Sequence, residues 1–425
     1  MDADKKKLNW SKLVKSKEHE EDTGNEGAPG DFDEDSTRES ASALTTRFDR
    51  VRIRLSKRAI QNNYETLAEE SGGQAILPMI KADGYGHGAV FAARALAQMK
   101  NLYGFGTASL DEAREVREAI GAKGRNIRIM TLSGAGNWSE EKGQYCERFG
   151  ITPTLFSEED WRSFLKGKWP ARLKYHLKFN TGMNRLGMSP GLAQQIVSQL
   201  KDKPADWRPE GVASHLAIAE EPDHPLTRKQ MDSFRGIMAS VRAPWSDTLF
   251  HIANSSAIWN ARKLGLSGLT DVVRPGISIY GVSPWPGGPT RGLTPVMALE
   301  YAVVQRRTLE PRESIGYGAQ FRLAGNESPM EVAILSAGYA DGLHRVNSGT
   351  SAGGGRVWLG GKMRRFLGVV SMDLSAIECD ASTRVGEWAQ MLGDGLDPWT
   401  QAKAAGTIPY ELLTSVSRRV RRTVE

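Results

Sequence analysis

The segment MIKADGYGHG, residues 79–88, places one lysine in an unusual setting. Lys81 ends a short apolar run, and three glycines, a tyrosine and a histidine follow within seven residues. A lysine at the end of a buried strand can lose its charge, because desolvation and neighbouring cations both lower the pKa of an amine. A neutral amine is the form that reacts with an aldehyde to give a Schiff base. The segment therefore predicts a reactive lysine beside a backbone that turns tightly.

Other residues with functional chemistry lie within, at the ends of or shortly after further apolar runs. They are Lys178, Arg185, His215, Asn254, Ser255, Arg274, Gly276 and Ile277. The hydroxyl of Ser255 and the N–H groups of Gly276 and Ile277 can bind a phosphate, which a glycine lets the backbone approach closely. A reactive lysine together with a phosphate site predicts pyridoxal 5′-phosphate as the cofactor. Each residue alone has an ordinary structural explanation, so the hypothesis depends on their convergence at one site.

The elements that must position these residues are eight short apolar runs between residues 75 and 281, with helical patterns between several of them. Ser109 and Ser157 each begin a helical pattern and are followed three residues later by an acidic residue, which predicts an N-cap with a capping box. Eight strands that alternate with helices predict a parallel (β/α)8 barrel, with an open doubly wound sheet as the alternative. No G-x-G-x-x-G opens a helix after the first strand, and this favours the barrel.

Composition divides the chain into three parts. Residues 1–46 are polar and acidic, and we expect a disordered tail because they cannot bury enough apolar surface to offset chain entropy. Residues 47–285 form the predicted barrel, although the strand predicted at 48–55 could instead join the next domain. Residues 286–425 begin with a stretch rich in proline and glycine and continue as short strands bounded by turns. The predicted fold is therefore α/β, a TIM barrel followed by a mostly-β domain.

Charge and cysteine content exclude several classes of protein. The net charge is +6, with −5 on residues 1–46 and +11 on the rest, but Lys and Arg are scattered and no nucleic-acid-binding signature is present. No apolar run approaches the roughly 20 residues that span a bilayer, and no secretory signal is evident. Cys146 and Cys379 form neither a disulfide framework nor a metal-ligand spacing. We expect a cytoplasmic protein without a bound metal, for which a small anionic ligand accounts for the positive charge.

Beyond these features, the sequence resembles the alanine racemases. MIKADGYGHG is similar to their cofactor-lysine signature, and further segments match in family order from about residue 47 to the end. They are LKFNTGMNRLG (177–187), SHLAIAEEPDHPLTRKQMDSF (214–234), HIANSSA (251–257), VVRPGISIYG (272–281), SIGYGAQF (314–321), AGYADGLHR (337–345), GVVSMDLS (368–375) and TIPYELLTSVSRRVRR (407–422). The resemblance implies an isomerase that interconverts L-alanine and D-alanine with pyridoxal 5′-phosphate and supplies D-alanine for peptidoglycan. It also implies a homodimer with shared active sites.

The resemblance implies a role for each cofactor-binding residue. Lys81 would hold the cofactor through its aldehyde carbon, and Arg274, supported by His215, would hydrogen-bond the pyridine nitrogen. Arg185 would contact the phenolic oxygen of the cofactor and the carboxylate of the substrate. The phosphate would be bound by Tyr85, Ser255, Gly276, Ile277 and Tyr410, with Asn254 beside them. Lys178 matches a lysine that is often carbamylated in this family.

The resemblance also implies a two-base mechanism, since racemisation needs an acid or base on each face of a planar intermediate. Lys81 would serve one face, and Tyr317, supplied by the partner subunit, would serve the other. Met372 would likewise cross from the partner, and it would line the substrate entrance with Asp373 and Tyr339.

Three alternatives remain at this point. The first is a racemase of serine or of broad substrate range, which only the pocket could distinguish. The second is a decarboxylase of the same barrel family, although SMDLS (371–375) lacks the cysteine that those enzymes share. The third is a non-catalytic cofactor-binding barrel, which would not need the β domain that carries Tyr317. One departure from the family pattern is Asn180, where aspartate is usual, and it could alter hydrogen bonds around Lys178 and Arg185.

Overall fold

The computed structural model describes residues 49–133, 136–167, 173–350 and 354–425. The predicted disordered tail, residues 1–46, lies outside the described residues. Strands and helices are numbered below in chain order.

Eight parallel strands build the barrel, after a first strand, β1 (Val51–Leu55), that belongs to another sheet. They are β2 (Ala75–Ile76), β3 (Gly104–Thr107), β4 (Arg128–Thr131), β5 (Ile151–Leu155), β6 (His176–Lys178), β7 (Gly211–Ala213), β8 (Leu249–His251) and β9 (Val272–Val273). β3 to β8 pair in chain order, and β2 pairs with β9. Hydrogen bonds from Ile80 N–H to Gly106 O (2.8 Å) and from Arg274 N–H to Ala253 O (2.9 Å) join the two sheets. The ring is thereby closed, and the predicted (β/α)8 barrel is confirmed.

One helix precedes the first barrel strand, and the others connect the barrel strands. They are α1 (Lys57–Glu70), α2 (Lys81–Tyr85), α3 (Ala89–Leu96), α4 (Leu110–Ile120), α5 (Glu140–Phe149), α6 (Glu158–Lys166), α7 (Leu192–Leu200), α8 (Pro225–Arg242), α9 (Ser255–Trp259) and α10 (Ala261–Leu264). α1 is typical: the Ser56 hydroxyl accepts a hydrogen bond from Ala59 N–H at 3.1 Å and begins the helix. Ile60, Tyr64 and Leu67 then recur at helical spacing and bury one face.

The predicted N-caps are confirmed, but the predicted capping boxes are wrong. Ser109 Oγ accepts from Glu112 N–H at 3.2 Å, and Ser157 Oγ accepts from Asp160 N–H at 3.0 Å. The reciprocal carboxylate bonds are directed elsewhere. Glu112 accepts from Ala108 N–H (2.7 Å), and Asp160 accepts from Trp138 N–H (2.9 Å). Each acid therefore joins its helix to a neighbouring segment, which a local sequence pattern cannot reveal.

The second domain is mostly β. Its strands are β10 (Met297–Leu309), β11 (Ser314–Ile315), β12 (Phe321–Arg322), β13 (Met330–Leu335), β14 (Arg356–Leu359), β15 (Lys362–Leu367), β16 (Ser375–Glu378), β17 (Trp388–Leu392) and β18 (Arg421–Val424), with helices α11 (Pro398–Ala404) and α12 (Pro409–Thr414). Eight strands form one sheet in the order β13-β16-β15-β14-β17-β10-β1-β18. β1 pairs antiparallel with β10 and parallel with β18. The first and last described strands of the chain thus lie side by side in this sheet.

Two clusters of buried apolar residues show how the parts are held together. A large cluster includes Ile53 of β1, Phe234 of α8 and Tyr301 of β10, so the barrel and the β domain share a continuous core. A small cluster of Leu77, Met130 and Val272 lies apart from it and joins strands β2, β4 and β9. Short 3₁₀ turns, among them Ile277–Tyr280, Tyr317–Ala319 and Tyr339–Asp341, connect the remaining elements.

Candidate active site

A cavity of about 530 Å³ lies at the carboxyl ends of the barrel strands, where barrel enzymes place their active sites. Most of the sequence-predicted residues line it, namely Lys81, Tyr85, Lys178, Arg185, His215, Asn254, Ser255, Arg274, Gly276, Ile277 and Tyr410. Residues that sequence reasoning did not single out also line it, namely Met79, Ala82, Leu132, Ser133, Ala213, Ser214, Ser256, Ile408, Glu411 and Thr414. The last four barrel strands and α12 of the β domain therefore meet the Lys81 segment around one space.

Lys81 is followed by a left-handed turn of the backbone, α2. Ala82, Asp83 and Gly84 have φ values of 52°, 52° and 61°, and Tyr85 has a φ of 52°. The left-handed conformation costs a residue with a Cβ roughly 1–2 kcal/mol, so the turn must be held by its surroundings. The Asp83 side chain accepts from Ala89 N–H at 3.0 Å, and its carbonyl accepts from Gly88 N–H at 2.8 Å.

Two distant residues hold the same turn. Arg422, from β18, donates through Nε (3.1 Å) and Nη2 (2.9 Å) to Gly86 O. The hydroxyl of Tyr280 donates to Met79 O at 3.1 Å, and its ring stacks on His87 at 4.4 Å. Burial lowers the pKa of His87 to about 4, so the ring is neutral and its role is to pack against the turn. The end of the chain thus fixes the segment that carries Lys81.

The electrostatic surroundings of Lys81 favour a neutral amine. Burial lowers the pKa of Lys81, and the charge of Arg185 lowers it further. Glu112 acts in the opposite direction, although its carboxylate is engaged by Ala82 N–H (2.8 Å) and Ala108 N–H (2.7 Å). Glu112 is therefore a site-supporting residue, and the sequence offered it only as a helix-capping acid.

Positive charge is concentrated in the cavity. Burial lowers the pKa of Lys178 to about 8, and the cations Arg274, Arg185 and Lys81 contribute. Across the described ranges, no carboxylate forms an ion pair with any of these four side chains. A cavity with several cations and one lining acid, Glu411, selects an anionic ligand.

Arg274 is buried and makes three well-defined contacts. It donates to Ser214 O at 2.6 Å, to His251 Nδ1 at 2.7 Å and to His215 Nδ1 at 3.3 Å. Burial lowers the pKa of Arg274 to about 10, so it remains charged at neutral pH. Burial and the charge of Arg274 hold the pKa of His215 well below its usual range. Both imidazoles are therefore neutral acceptors of the guanidinium.

Uncharged hydrogen-bond donors gather in another part of the cavity. Ser255 Oγ accepts from Gly276 N–H at 2.9 Å and keeps its own proton to donate. The rings of Tyr85 and Tyr410 lie 6.2 Å apart, and within the described part of the chain neither phenol oxygen bonds to protein. Burial raises the pKa of Tyr410 to about 12, so its phenol stays protonated. Hydroxyls and N–H groups suit a phosphate, and the amine of Lys81 suits an aldehyde, so these residues fit pyridoxal 5′-phosphate.

Four predicted residues do not line the cavity. Tyr317 is 73% exposed, Met372 53% and Tyr339 45%, and all lie in the β domain with Asp373. The turn of Tyr339 packs on the segment of Met372, since Tyr339 N–H donates to Ser371 O at 3.0 Å. Within one chain, the described structure leaves these side chains at the surface of the β domain.

Asn180 does not act on Lys178 or Arg185 directly. Its Oδ1 accepts from Gly182 N–H (3.1 Å) and Asn184 N–H (3.0 Å), and its Nδ2 donates to Asn184 Oδ1 (2.9 Å). The side chain therefore stabilises the loop that carries Arg185. An aspartate could accept the two backbone bonds but could not donate to Asn184.

The described ranges contain neither a candidate membrane-spanning helix nor a candidate metal cluster. None of their helices is both long and apolar enough to cross a membrane. No group of three or more His, Cys, Asp or Glu in these ranges could hold a metal ion. Cys146 and Cys379 are both free and buried.

The fold and the cavity together define a class of protein, a (β/α)8 barrel with an added β domain and a cavity suited to a phosphorylated aldehyde. The chain belongs to the alanine racemase family. The family model "Alanine racemase, N-terminal domain" matches residues 55–284, and "Alanine racemase, C-terminal domain" matches residues 296–424.

Individual relatives agree with this assignment. The chain is 35% identical over 370 residues to the alanine racemase of Neisseria meningitidis serogroup A, covering 87% of this chain and 97% of that protein. Among solved structures, the biosynthetic alanine racemase of Pseudomonas aeruginosa matches with a TM-score of 0.77 and 30% identity over 89% of this chain and all of that one (100%). The alanine racemase of Bartonella henselae, solved with covalently bound pyridoxal phosphate, matches with a TM-score of 0.75 and 28% identity over 88% of this chain and 99% of that one.

The tight packing of the Lys81 turn leads to a testable prediction at Gly86. An alanine Cβ at this position would collide with Leu413 O, and φ is +80°. Gly86→Ala is expected to lower the free energy of unfolding and to weaken cofactor binding. Gly73→Ala is the matched control, because φ is +84° and no atom of the described residues lies within 4 Å of the added Cβ. The control should lose only the roughly 1–2 kcal/mol of the left-handed backbone. Equal losses in urea unfolding of the two variants would disprove the close contact.

Proposed function

We propose that this protein is an isomerase that interconverts L-alanine and D-alanine with pyridoxal 5′-phosphate as cofactor. The observation that carries the proposal is the cavity itself, in which the amine of Lys81, with its lowered pKa, shares one space with uncharged phosphate donors. Family membership and the titles of the relatives support the choice of substrate and cofactor.

The bound cofactor withdraws electrons from an amino acid attached to it and so makes the α-proton acidic. Lys81 would hold its aldehyde carbon, and Tyr85, Ser255, Gly276, Ile277 and Tyr410 would bind its phosphate, with Asn254 capping α9 beside them. Arg274 would donate to the pyridine nitrogen, and His215 would support Arg274. A guanidinium has no proton acceptor and stays charged, so it would keep the ring nitrogen unprotonated. With its ring nitrogen unprotonated, the cofactor would withdraw electrons less strongly, and transamination would be disfavoured.

Arg185 would bind the carboxylate of the substrate. It lies in a loop held by Asn180, and its charge lowers the pKa of both Lys81 and Lys178. Burial and the neighbouring cations lower the pKa of Lys178 to about 8, so a fraction is neutral and can react with carbon dioxide, releasing one proton. The carbamate would place an anion beside Arg185, and labelled bicarbonate would reveal it by ¹³C NMR.

Two bases would act on opposite faces of the α-carbon. Lys81, once released from the cofactor, would move a proton on one face. Tyr317 would move a proton on the other face, and it lies at the surface of the β domain, 73% exposed. In the family, the lysine serves D-alanine and the tyrosine serves L-alanine.

We further propose a homodimer in which each cavity receives Tyr317 and Met372 from the partner, with Asp373 and Tyr339 at the entrance. The support is that these side chains lie on the β domain, outside the cavity of their own chain. We also propose a division between barrel and β domain near residue 285.

A cytoplasmic location and a role in supplying D-alanine for peptidoglycan complete the proposal. Two free, buried cysteines are consistent with a reducing compartment, and the relatives named above are bacterial proteins.

The proposed reaction is tested by chiral analysis of product. We expect D-alanine from L-alanine, with L-serine converted more slowly, and loss of at least roughly 10²-fold in Lys81→Ala. Lys57→Ala, at the start of α1, is the control and should be unaffected.

Borohydride reduction followed by peptide mapping should place the cofactor on Lys81. An adduct on Lys178, which lines the same cavity, would overturn the assignment.

Loss of the Tyr317 hydroxyl should affect the two enantiomers unequally. Tyr317→Phe leaves Lys81 and the cofactor-binding residues intact, so exchange of the α-hydrogen of D-alanine with solvent deuterium should continue. Exchange from L-alanine, and racemisation with it, should fall by roughly 10²–10⁴, the usual contribution of a positioned acid or base. Tyr145→Phe, in α5 away from the cavity, should change neither. Equal losses for both enantiomers in Tyr317→Phe would contradict the two-base assignment.

Shared sites predict complementation between inactive chains. Mixing Lys81→Ala with Tyr317→Phe should restore about a quarter of wild-type activity, since half of the dimers are hybrids with one intact site each. Mixing Lys81→Ala with Arg185→Ala is the control, because both changes lie in the barrel cavity and no hybrid site is intact. If subunits exchange and the first mixture stays inactive, the shared-site model fails.

A further inference from the structure

A chain of hydrogen bonds between polar side chains crosses the interior of the barrel. It begins in the cavity, where Arg274 Nη1 donates to His251 Nδ1 at 2.7 Å. His251 Nε2 lies 2.8 Å from His176 Nδ1. His176 Nε2 lies 3.1 Å from the Tyr103 hydroxyl and 3.5 Å from Glu210 Oε2. A guanidinium in the cavity is thus linked to a carboxylate through two imidazoles.

The two ends of this chain lie at opposite ends of the barrel strands. Glu210 directly precedes β7, and Arg128, which binds it, is the first residue of β4. His251 is the last residue of β8, and Arg274 directly follows β9. The chain therefore runs from the amino ends of the strands, opposite the cavity, to their carboxyl ends.

The two imidazoles in the middle of the hydrogen-bonded chain are buried, and a glycine on the neighbouring strand leaves room for one of them. His176 is 0% and His251 1% exposed. Gly211 pairs in register with His176 on the neighbouring strand, and a Cβ at Gly211 would collide with Cε1 and Nδ1 of the imidazole. Gly211 is not among the residues with positive φ, so its missing side chain is explained by the ring beside it.

The direction of every proton in the chain follows from Arg274. A guanidinium has donors and no acceptor, so His251 Nδ1 must carry a lone pair. The proton of neutral His251 then sits on Nε2 and is donated to His176 Nδ1. His176 in turn carries its proton on Nε2, directed at Tyr103 and Glu210. Burial lowers the pKa of both imidazoles, in agreement with neutral rings.

Glu210 supplies the acceptors at the far end. Its Oε2 accepts from the Tyr103 hydroxyl at 3.1 Å, and its Oε1 accepts from Arg128 Nε at 2.9 Å and from Nη2. Burial raises the pKa of Glu210, but hydrogen bonds from His176 and Arg128 outweigh it and lower the pKa to about 2. The carboxylate is therefore ionised and accepts at both oxygens.

We propose that Glu210, His176 and His251 are positioning residues that fix the orientation and hydrogen bonding of Arg274. A carboxylate at residue 210 forces both imidazoles into the Nε2–H tautomer, and this leaves His251 Nδ1 free to accept from Arg274. The inference deepens the proposed function and rests on it, because Arg274 is the residue proposed to contact the pyridine nitrogen.

Replacement of the carboxylate by an amide should disturb the whole chain. Glutamine has one acceptor oxygen, so in Glu210→Gln an NH₂ group must face either Arg128 or Tyr103. If it faces Tyr103, that hydroxyl turns to donate to His176 Nε2, and the reversed tautomers would bring an N–H of His251 against Arg274. If it faces Arg128, two donors oppose each other at the base of the barrel.

The first experiment needs no substitution. The whole protein contains only seven histidines. The ¹⁵N spectra of the full-length, cofactor-loaded protein with labelled histidine can therefore be assigned. We expect neutral Nε2–H tautomers for His176 and His251. An Nδ1–H tautomer, or a charged ring, at either position overturns the proposal even if no variant folds. This measurement is independent of activity, whereas absence of alanine racemisation by the wild-type protein would overturn the proposed function alone.

The second experiment compares two identical chemical changes. Glu210→Gln should change the His251 signals, shift the visible absorption of the bound cofactor and lower kcat roughly tenfold with little change in KM. At metal sites, loss of an outer carboxylate–histidine partner costs roughly 10–100-fold in metal affinity or activity. Glu300→Gln is the matched control, because the Glu300 side chain is 8% exposed against 11% for Glu210 and is likewise paired with arginine, here Arg52 and Arg54, but belongs to the β domain.

The outcomes separate positioning from general stability. Glu300→Gln should leave the His251 signals and the cofactor spectrum unchanged, whatever it does to stability. If both variants lose kcat equally with unchanged spectra, loss of a buried ion pair explains the effect and the positioning role is wrong. If Glu210→Gln leaves kcat, spectrum and tautomers unchanged, the proposal is likewise wrong.

Discussion

The left-handed turn after Lys81 is the constraint on which the cavity depends. Four successive residues, 82–85, have positive φ, and three of them carry a Cβ. At roughly 1–2 kcal/mol each, these three would cost on the order of 3–6 kcal/mol, so the turn cannot persist on local preference alone. Its stabilising contacts come from distant elements, above all from Arg422 on β18. Since β18 pairs with β1, docking of the β domain on the barrel and the conformation of the Lys81 segment are physically linked.

That turn places an amine among other cations, and charge then determines what the cavity can bind. Burial and Arg185 both lower the pKa of Lys81, while Glu112 moderates the effect. The charge of Arg274 is not compensated by its contacts, because they are neutral acceptors, the carbonyl of Ser214 and two imidazoles. A carboxylate bonded directly to Arg274 would have neutralised the field of the cavity. The nearest anion in its hydrogen-bonded chain is Glu210, beyond two histidines, so the cavity keeps its affinity for anions.

The sequence predicted the features that depend on local or periodic patterns. Eight apolar runs predicted the barrel, and the strand-end positions of Lys81 and Arg274 predicted that they would converge. Features that depend on tertiary contacts could not be predicted from the sequence. Glu112 was interpreted as a capping acid because its partner Ala82 is distant in sequence but close in the fold. The turn between β15 and β16 likewise depends on a contact that no local pattern reveals, the hydrogen bond from Ser371 N–H to Leu374 O at 2.9 Å. The roles of individual residues stay predictions.

The polar chain inside the barrel shows how a sequence signal can be present and still be overlooked. His176 precedes Lys178 by two residues on β6, so both side chains point to the same face of the strand. Inward-facing polar residues in a barrel strand carry a desolvation cost unless each one is hydrogen-bonded. Here the cost is offset because every donor meets an acceptor, from Arg274 at one end to Glu210 at the other. An apolar barrel interior would be simpler to fold, and part of this one is apolar around Leu77. The polar remainder lies directly behind Arg274, the place where orientation of a buried cation matters most.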